Sequence, residues 1–252
     1  MRARRGWHRA LRGHGRRYST RVHLRLSWLG YERGVNAQRV GAPGTFGIST
    51  MELDPGYADA MALVSPHCDI ESRLADVPPS ARVRGPLFRP LKPALEHAGR
   101  WHEFERIVPP RKRSSFGEFP LGEYLIELAL AGALTLTPER LEQGMYEISR
   151  NNAKTFASTL MGRALLRLLS KDPVRLTEQA VAARRQLANY GDWRLVRHGP
   201  RHVEMVYTDE YTWLGSAIAG AAIGAFQACE VEARLETQLV DRYNGSTIIR
   251  WD

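Results

Sequence analysis

The chain has 252 residues, a net charge of +9 and two cysteines. That length allows one large domain or two small ones, and two cysteines are too few for a disulfide framework or a four-cysteine zinc site. The charge is concentrated: residues 1–50 hold eleven arginines, no lysine and one acid, a balance of +10, whereas the remainder carries 25 basic against 26 acidic residues, a balance of −1. A folded nucleic-acid-binding domain carries its excess charge on its own elements, so nucleic acid is not expected as a partner of the folded part.

Residues 1–60 read as an arginine-rich extension, either a disordered tail or an overextended start with Met51 or Met61 as the true beginning. The arginine pairs Arg4-Arg5 and Arg16-Arg17 suggest a secretion signal. No apolar segment follows them, because Val22–Leu29 is interrupted by His23, Arg25 and Ser27. Residues 70–252 are expected to form a single domain in a reducing cytoplasm.

In chain order, Val77-Pro-Pro-Ser80 is an extended lead-in, and Ala81–Phe88 a short strand or turn. Arg89–Ala98 has helical apolar spacing with Gly99 as its stop. Ile107–Phe119, with Arg111-Lys-Arg113, reads as a solvated polar loop, since three charges without a glycine cradle are weak evidence of a phosphate site. Leu121–Leu134 is an apolar helix. Thr137-Pro138-Glu139 starts another, which is expected to break at Asn151-Asn152, and Asp172-Pro173 opens a further helix to about Ala188. The apolar period then becomes two, with Trp193, Leu195, Val203, Met205 and Tyr207 forming a hairpin around His198–His202. Tyr211–Cys229 is free of charge over 19 residues but rich in alanine and glycine, which favours a buried helix over a membrane span. Its Gly220 and Gly224 allow close packing against the sheet, another helix or a second copy in a homodimer. Two strands, Val231–Val240 and Thr247–Trp251, follow, joined around Asn244-Gly245. The fold class is α+β, with four or five helices packed on a small antiparallel sheet of about four strands.

Several short motifs occur in a distinctive order: Arg84-Gly85 with Phe88, Phe116–Pro120, Thr155-Phe156-Ala157-Ser158 with Gly162, Gly220 and Gly224 followed by Ala225–Cys229, and Ile249-Arg-Trp251. In this order the segment from about Ala75 to Trp251 resembles a Myxococcales-restricted domain family of unknown function. Glu230 stands where the resemblance leads one to expect a glycine. That family is in turn distantly similar to the fold shared by haem-nitric-oxide-binding sensors, vinyl-reductase ligand-binding domains and TRAPP subunits. The resemblance implies a cytoplasmic module that binds a ligand or a partner, with no reaction to carry across.

No catalytic motif is present: the chain has no Gly-x-Ser-x-Gly elbow, phosphate loop or dinucleotide fingerprint. Asp209-Glu210 lies at a helix start, where carboxylates favour the dipole. Haem is not supported, because Tyr146-Glu-Ile-Ser149-Arg150 lacks the spacing of the Tyr-x-Ser-x-Arg anchor and His97 and His102 read as surface residues. No other cofactor is identified, and His198 with His202 makes a poor metal site without further ligands. The expected function is a non-enzymatic regulatory module binding a small apolar ligand or a protein partner near Phe156, Ser158, Met161, Gly220 and Gly224. The alternative is an enzyme whose catalytic groups converge only in the fold.

Overall fold

A computed structural model describes residues 54–157 and 172–252. The fold is α+β: among the described residues there are eight α-helices, a two-stranded sheet and a four-stranded antiparallel sheet. The helices are α1 (Ala58–Val64), α2 (Ile70–Asp76), α3 (Leu91–His97), α4 (Trp101–Ile107), α5 (Leu121–Thr135), α6 (Leu141–Ala157), α7 (Pro173–Leu187) and α8 (Ala219–Ala228). The strands are β1 (Arg82–Arg84), β2 (Glu118–Pro120), β3 (Asp192–Gly199), β4 (His202–Thr208), β5 (Ala233–Leu239) and β6 (Gly245–Trp251). The expected sheet of about four strands is present, whereas the short helices α1, α2 and α4 add to the expected four or five.

The centre of the helical part is α5, whose residues Leu121–Leu134 are all buried. An apolar helix of this kind needs neighbours on every side, and α1, α2, α3, α4 and α6 supply them. Tyr57 and Ala60 are fully buried in this cluster, so residues placed by the sequence in the extension up to residue 60 belong to the packed domain. Helix α6 continues past Asn151 and Asn152, contrary to the expected break. Both asparagines are exposed, and packing of α6 between α5 and α8 outweighs their low helix propensity.

The four-stranded sheet has the order β3-β4-β6-β5. Alternation places Val203, Met205 and Tyr207 on the same face as Ile249 and Trp251, and this face packs against Leu176 of α7 and Phe226 of α8. Asp172 caps α7 by accepting from the Arg175 N–H at 3.1 Å, with Pro173 in the first turn. The chain enters α8 through one π-helical turn, Leu214–Ile218.

The β5–β6 connection differs from expectation. Gly245 is the first residue of β6, paired with Leu239, and not a turn residue. The turn is built by Asp241, whose carboxylate accepts from the N–H groups of Tyr243 at 2.7 Å and Asn244 at 2.8 Å. Among the described residues no helix is long and apolar enough to cross a membrane.

Candidate functional site

A groove of about 690 Å³ lies between α3, α4 and the segment 108–113. Its existence follows from local sequence. Pro109 and Pro110 cannot extend α4, and the residue before a proline is pushed out of the helical region, so Val108 adopts φ −96° and ψ 148°. The chain then runs extended beside the two short helices instead of packing onto them. Phe88, Leu91, Trp101, Phe104, Val108 and Pro109 provide the apolar lining. Trp101 and Phe104 stack with ring centroids 5.5 Å apart, and Phe88 meets Tyr124 edge to face at 5.3 Å.

One side of the groove is closed by a network of charges. Arg113 donates to Glu123 Oε2 at 2.7 Å, to the Tyr57 hydroxyl at 3.0 Å and to Glu127. The Tyr57 hydroxyl donates in turn to Glu127 Oε1 at 2.7 Å. Arg111 bonds Asp54 at 2.6 Å and also reaches Glu123. The Arg113 guanidinium lies 4.2 Å from the Phe88 ring centre and 4.6 Å from that of Phe119. Burial raises the Glu127 carboxyl, against the pull of Arg113 and Tyr57. Burial and the neighbouring Glu127 push the Tyr57 hydroxyl above the ordinary phenol range. For Arg113, burial favours the neutral form but the carboxylates outweigh it and raise its pKa.

The solvated-loop reading of Arg111-Lys-Arg113 is therefore corrected for two of its three charges. Residues 111 and 113 lie on one side of an extended segment, and Glu123 and Glu127 are four residues apart on one helix face. Only Lys112 stays exposed with no carboxylate partner among the described residues. The signal was present as two glutamates in an otherwise apolar helix, which is where buried charges need partners.

Glu210 does not serve as a helix-start carboxylate, since the helical turn that leads into α8 begins only at Leu214. Glu210 is 0% exposed. It accepts from Arg184 Nη2 at 2.9 Å, Trp193 Nε1 at 2.8 Å, the Thr212 N–H at 3.0 Å and the Tyr190 hydroxyl at 3.3 Å. The site is closed and its carboxylate is fully engaged, so it ties α7 and β3 to the segment entering α8.

Of the residues expected at a binding site, Gly220 and Gly224 do not line this groove. Gly220 and Gly224 face the α6 backbone, where a Cβ would overlap the carbonyl oxygens of Tyr146 and Arg150. They are the means by which two helices of the same chain approach closely, as the small-residue spacing allows. Phe156 belongs to the last turn of α6, with its side chain outside the described residues, and Ser158 and Met161 lie outside them altogether. Arg150 bonds Gln227 at 2.9 Å and Glu147 at 3.3 Å. His198 and His202 do face each other, with ring centroids 4.7 Å apart, and His198 Nε2 lies 2.8 Å from Glu204 Oε2. Among the described residues no three His, Cys, Asp or Glu side chains are placed to hold a metal ion.

The sequence profile of a family described as protein of unknown function, DUF2378, matches residues 77–250. No curated protein sequence matches the chain. Among solved structures, an unliganded Fe(II) H-NOX protein from K. algicida is similar at 14% identity and a TM-score of 0.53, covering 67% of this chain and 96% of its own. A single-residue variant of that protein gives the same values. A variant H-NOX protein from S. oneidensis in the Fe(II) state has 12% identity and a TM-score of 0.48, over 67% of this chain and 96% of its own. At such identities the likeness is one of fold.

The resemblance to haem-binding sensors makes haem the cofactor to test against these residues, and they do not fit it. The groove is lined by no histidine, cysteine or tyrosine. His67, His97, His102 and His198 are exposed, His202 is half-buried against the His198 ring at the end of the β3–β4 hairpin, and Arg150 is engaged by Glu147 and Gln227. Among the described residues neither an axial ligand nor a propionate anchor is assembled.

Proposed function

We propose that this chain, which belongs to the DUF2378 family of proteins of unknown function, is a non-enzymatic ligand-binding module. Its ligand places an apolar body in the groove between α3, α4 and the segment 108–113. The observation that carries this reading is a groove of about 690 Å³ with an aromatic and aliphatic floor and a charged rim, within the roughly 300–1,000 Å³ of small-molecule sites. The fold shared with H-NOX proteins supports it as an analogy. Arg113, Glu127 and Tyr57 converge beside the groove, as an enzyme would require, but they direct their hydrogen bonds at one another. That arrangement favours a rigid wall over a reacting group. The proposal extends to a regulatory role in the cytoplasm of a myxobacterium, as the sequence resemblance implies.

The test is native mass spectrometry of the full chain purified from its own host, compared with the same sample denatured and with Val108→Trp, which fills the groove. Retention of a noncovalent small-molecule mass by the wild type alone is the expected result. A mass retained equally by Val108→Trp, or a clean protein mass in both, overturns the assignment.

A further inference from the structure

We infer that the ligand of this groove is an anionic single-chain amphiphile, a carboxylate whose hydrocarbon tail lies on the aromatic lining and whose head meets Arg89 and Lys112. The inference rests on the ligand-binding reading above and adds the chemistry of the ligand.

Most cations at the groove already have partners. Arg111 is paired with Asp54 and Glu123, and Arg113 with Glu123 and Glu127. Lys92 lies 3.7 Å from Glu96 and over the Trp101 ring, and Glu105 lies 3.5 Å from His102, an exposed histidine that balances its charge only when protonated. Among the cations, Arg89 and Lys112 remain. Both line the groove, both are exposed, and neither has a carboxylate partner among the described residues. Arg89 also hydrogen-bonds the hydroxyl of Ser115, three residues beyond Lys112 in the same segment. That bond uses a neutral acceptor and leaves the charge of Arg89 uncompensated.

The opposite character of the lining completes the argument. Trp101 is half-buried at the groove, with the buried Phe88, Leu91 and Phe104 behind it, and the indole N–H is the one hydrogen-bonding group among these four side chains. A groove with an apolar floor, a charged rim and two unpaired cations is complementary to a molecule with an apolar tail and one negative end. A positively charged amphiphile meets repulsion from both cations, and a neutral one leaves them unmatched.

Calorimetric titration of the full chain with decanoate and with decanol, both below their aggregation concentrations, tests this. The variants are Arg89→Ala/Lys112→Ala and Val108→Trp, and residues 1–50 with their arginines are common to all of them. Decanoate is expected to bind about tenfold or more tightly than decanol, the ratio that one charge-assisted hydrogen bond supplies. The double variant should abolish that preference while leaving decanol binding unchanged, and Val108→Trp should weaken both ligands. Equal affinities in the wild type, both lost in Val108→Trp, would overturn the headgroup assignment and leave the groove as a binding site. Binding of either ligand that Val108→Trp leaves unaltered would overturn the groove itself.

Discussion

Arg184 of α7 donates through both Nε, at 3.2 Å, and Nη2, at 2.9 Å, to a single carboxylate oxygen of Glu210, which has no exposed surface. Removing one partner strands the other in a low-dielectric site, a loss of about 3–5 kcal/mol. Glu210→Ala should lower unfolding stability in urea by that amount, and Arg184→Met/Glu210→Leu by less than the single change. A loss under about 1 kcal/mol for Glu210→Ala would show that Tyr190 and Trp193 hold the segment without the carboxylate.

Gly220 and Gly224 have no room for a methyl group, because the opposing atoms are backbone carbonyls of α6 that no rotamer change can move. Gly224→Ala should therefore force α8 away from α6 at a loss of about 1–3 kcal/mol. Gly199→Ala serves as the control, since a Cβ there has nothing within 4 Å. Equal melting temperatures for the two variants would contradict the close helix approach.

Glu230 has φ 58°, at the position where the family resemblance places a glycine. The left-handed conformation is unfavourable by about 1–2 kcal/mol for a residue with a Cβ, and glycine's extra chain entropy offsets about 0.5–1 kcal/mol of the relief. Glu230→Gly is thus expected to raise stability by about 0.5–1 kcal/mol, measured by chemical denaturation. A destabilising effect would mean that the Glu230 side chain contributes more than its backbone strain removes.

Buried tyrosines govern the alkaline limit. Burial raises the hydroxyls of Tyr57, Tyr124, Tyr190 and Tyr207 above the ordinary value of 10.0. Below that pH both folded and unfolded states keep these protons. Above it only the unfolded state releases them, so stability falls by about 1.4 kcal/mol per pH unit for each such group. Ultraviolet titration should show these four ionising only with unfolding, and early, reversible ionisation of all tyrosines in the folded protein would refute the burial.

Tyr243 differs in degree, since burial and the Asp76 carboxylate that accepts its hydroxyl proton at 2.6 Å push it up to about 12. Tyr243→Phe should therefore remove one hydrogen bond, worth about 0.5–1.5 kcal/mol at neutral pH. It should also reduce the steepness of the alkaline loss. Unchanged steepness would show that Tyr243 titrates freely.

The sequence by itself determined the features that depend on local period and local stereochemistry. The two-residue alternation of Val203, Met205 and Tyr207 specified a strand, Asp172-Pro173 specified a helix start, and the apolar run of α5 specified a buried helix. The small-residue spacing of Gly220 and Gly224 specified a close contact, without naming α6 as its partner. Other features depended on residues distant in the chain. Arg111 and Arg113 look solvated until α5 brings Glu123 and Glu127 against them, and Glu210 looks like a helix-start acid until Arg184, Tyr190 and Trp193 enclose it. The groove is of the same kind, since it is the space left where the extended segment after proline-terminated α4 runs beside α3 and α4 without packing onto them. Periodicity records which face of an element is apolar. Which charges are paired, and where packing leaves space, is decided only when the elements meet.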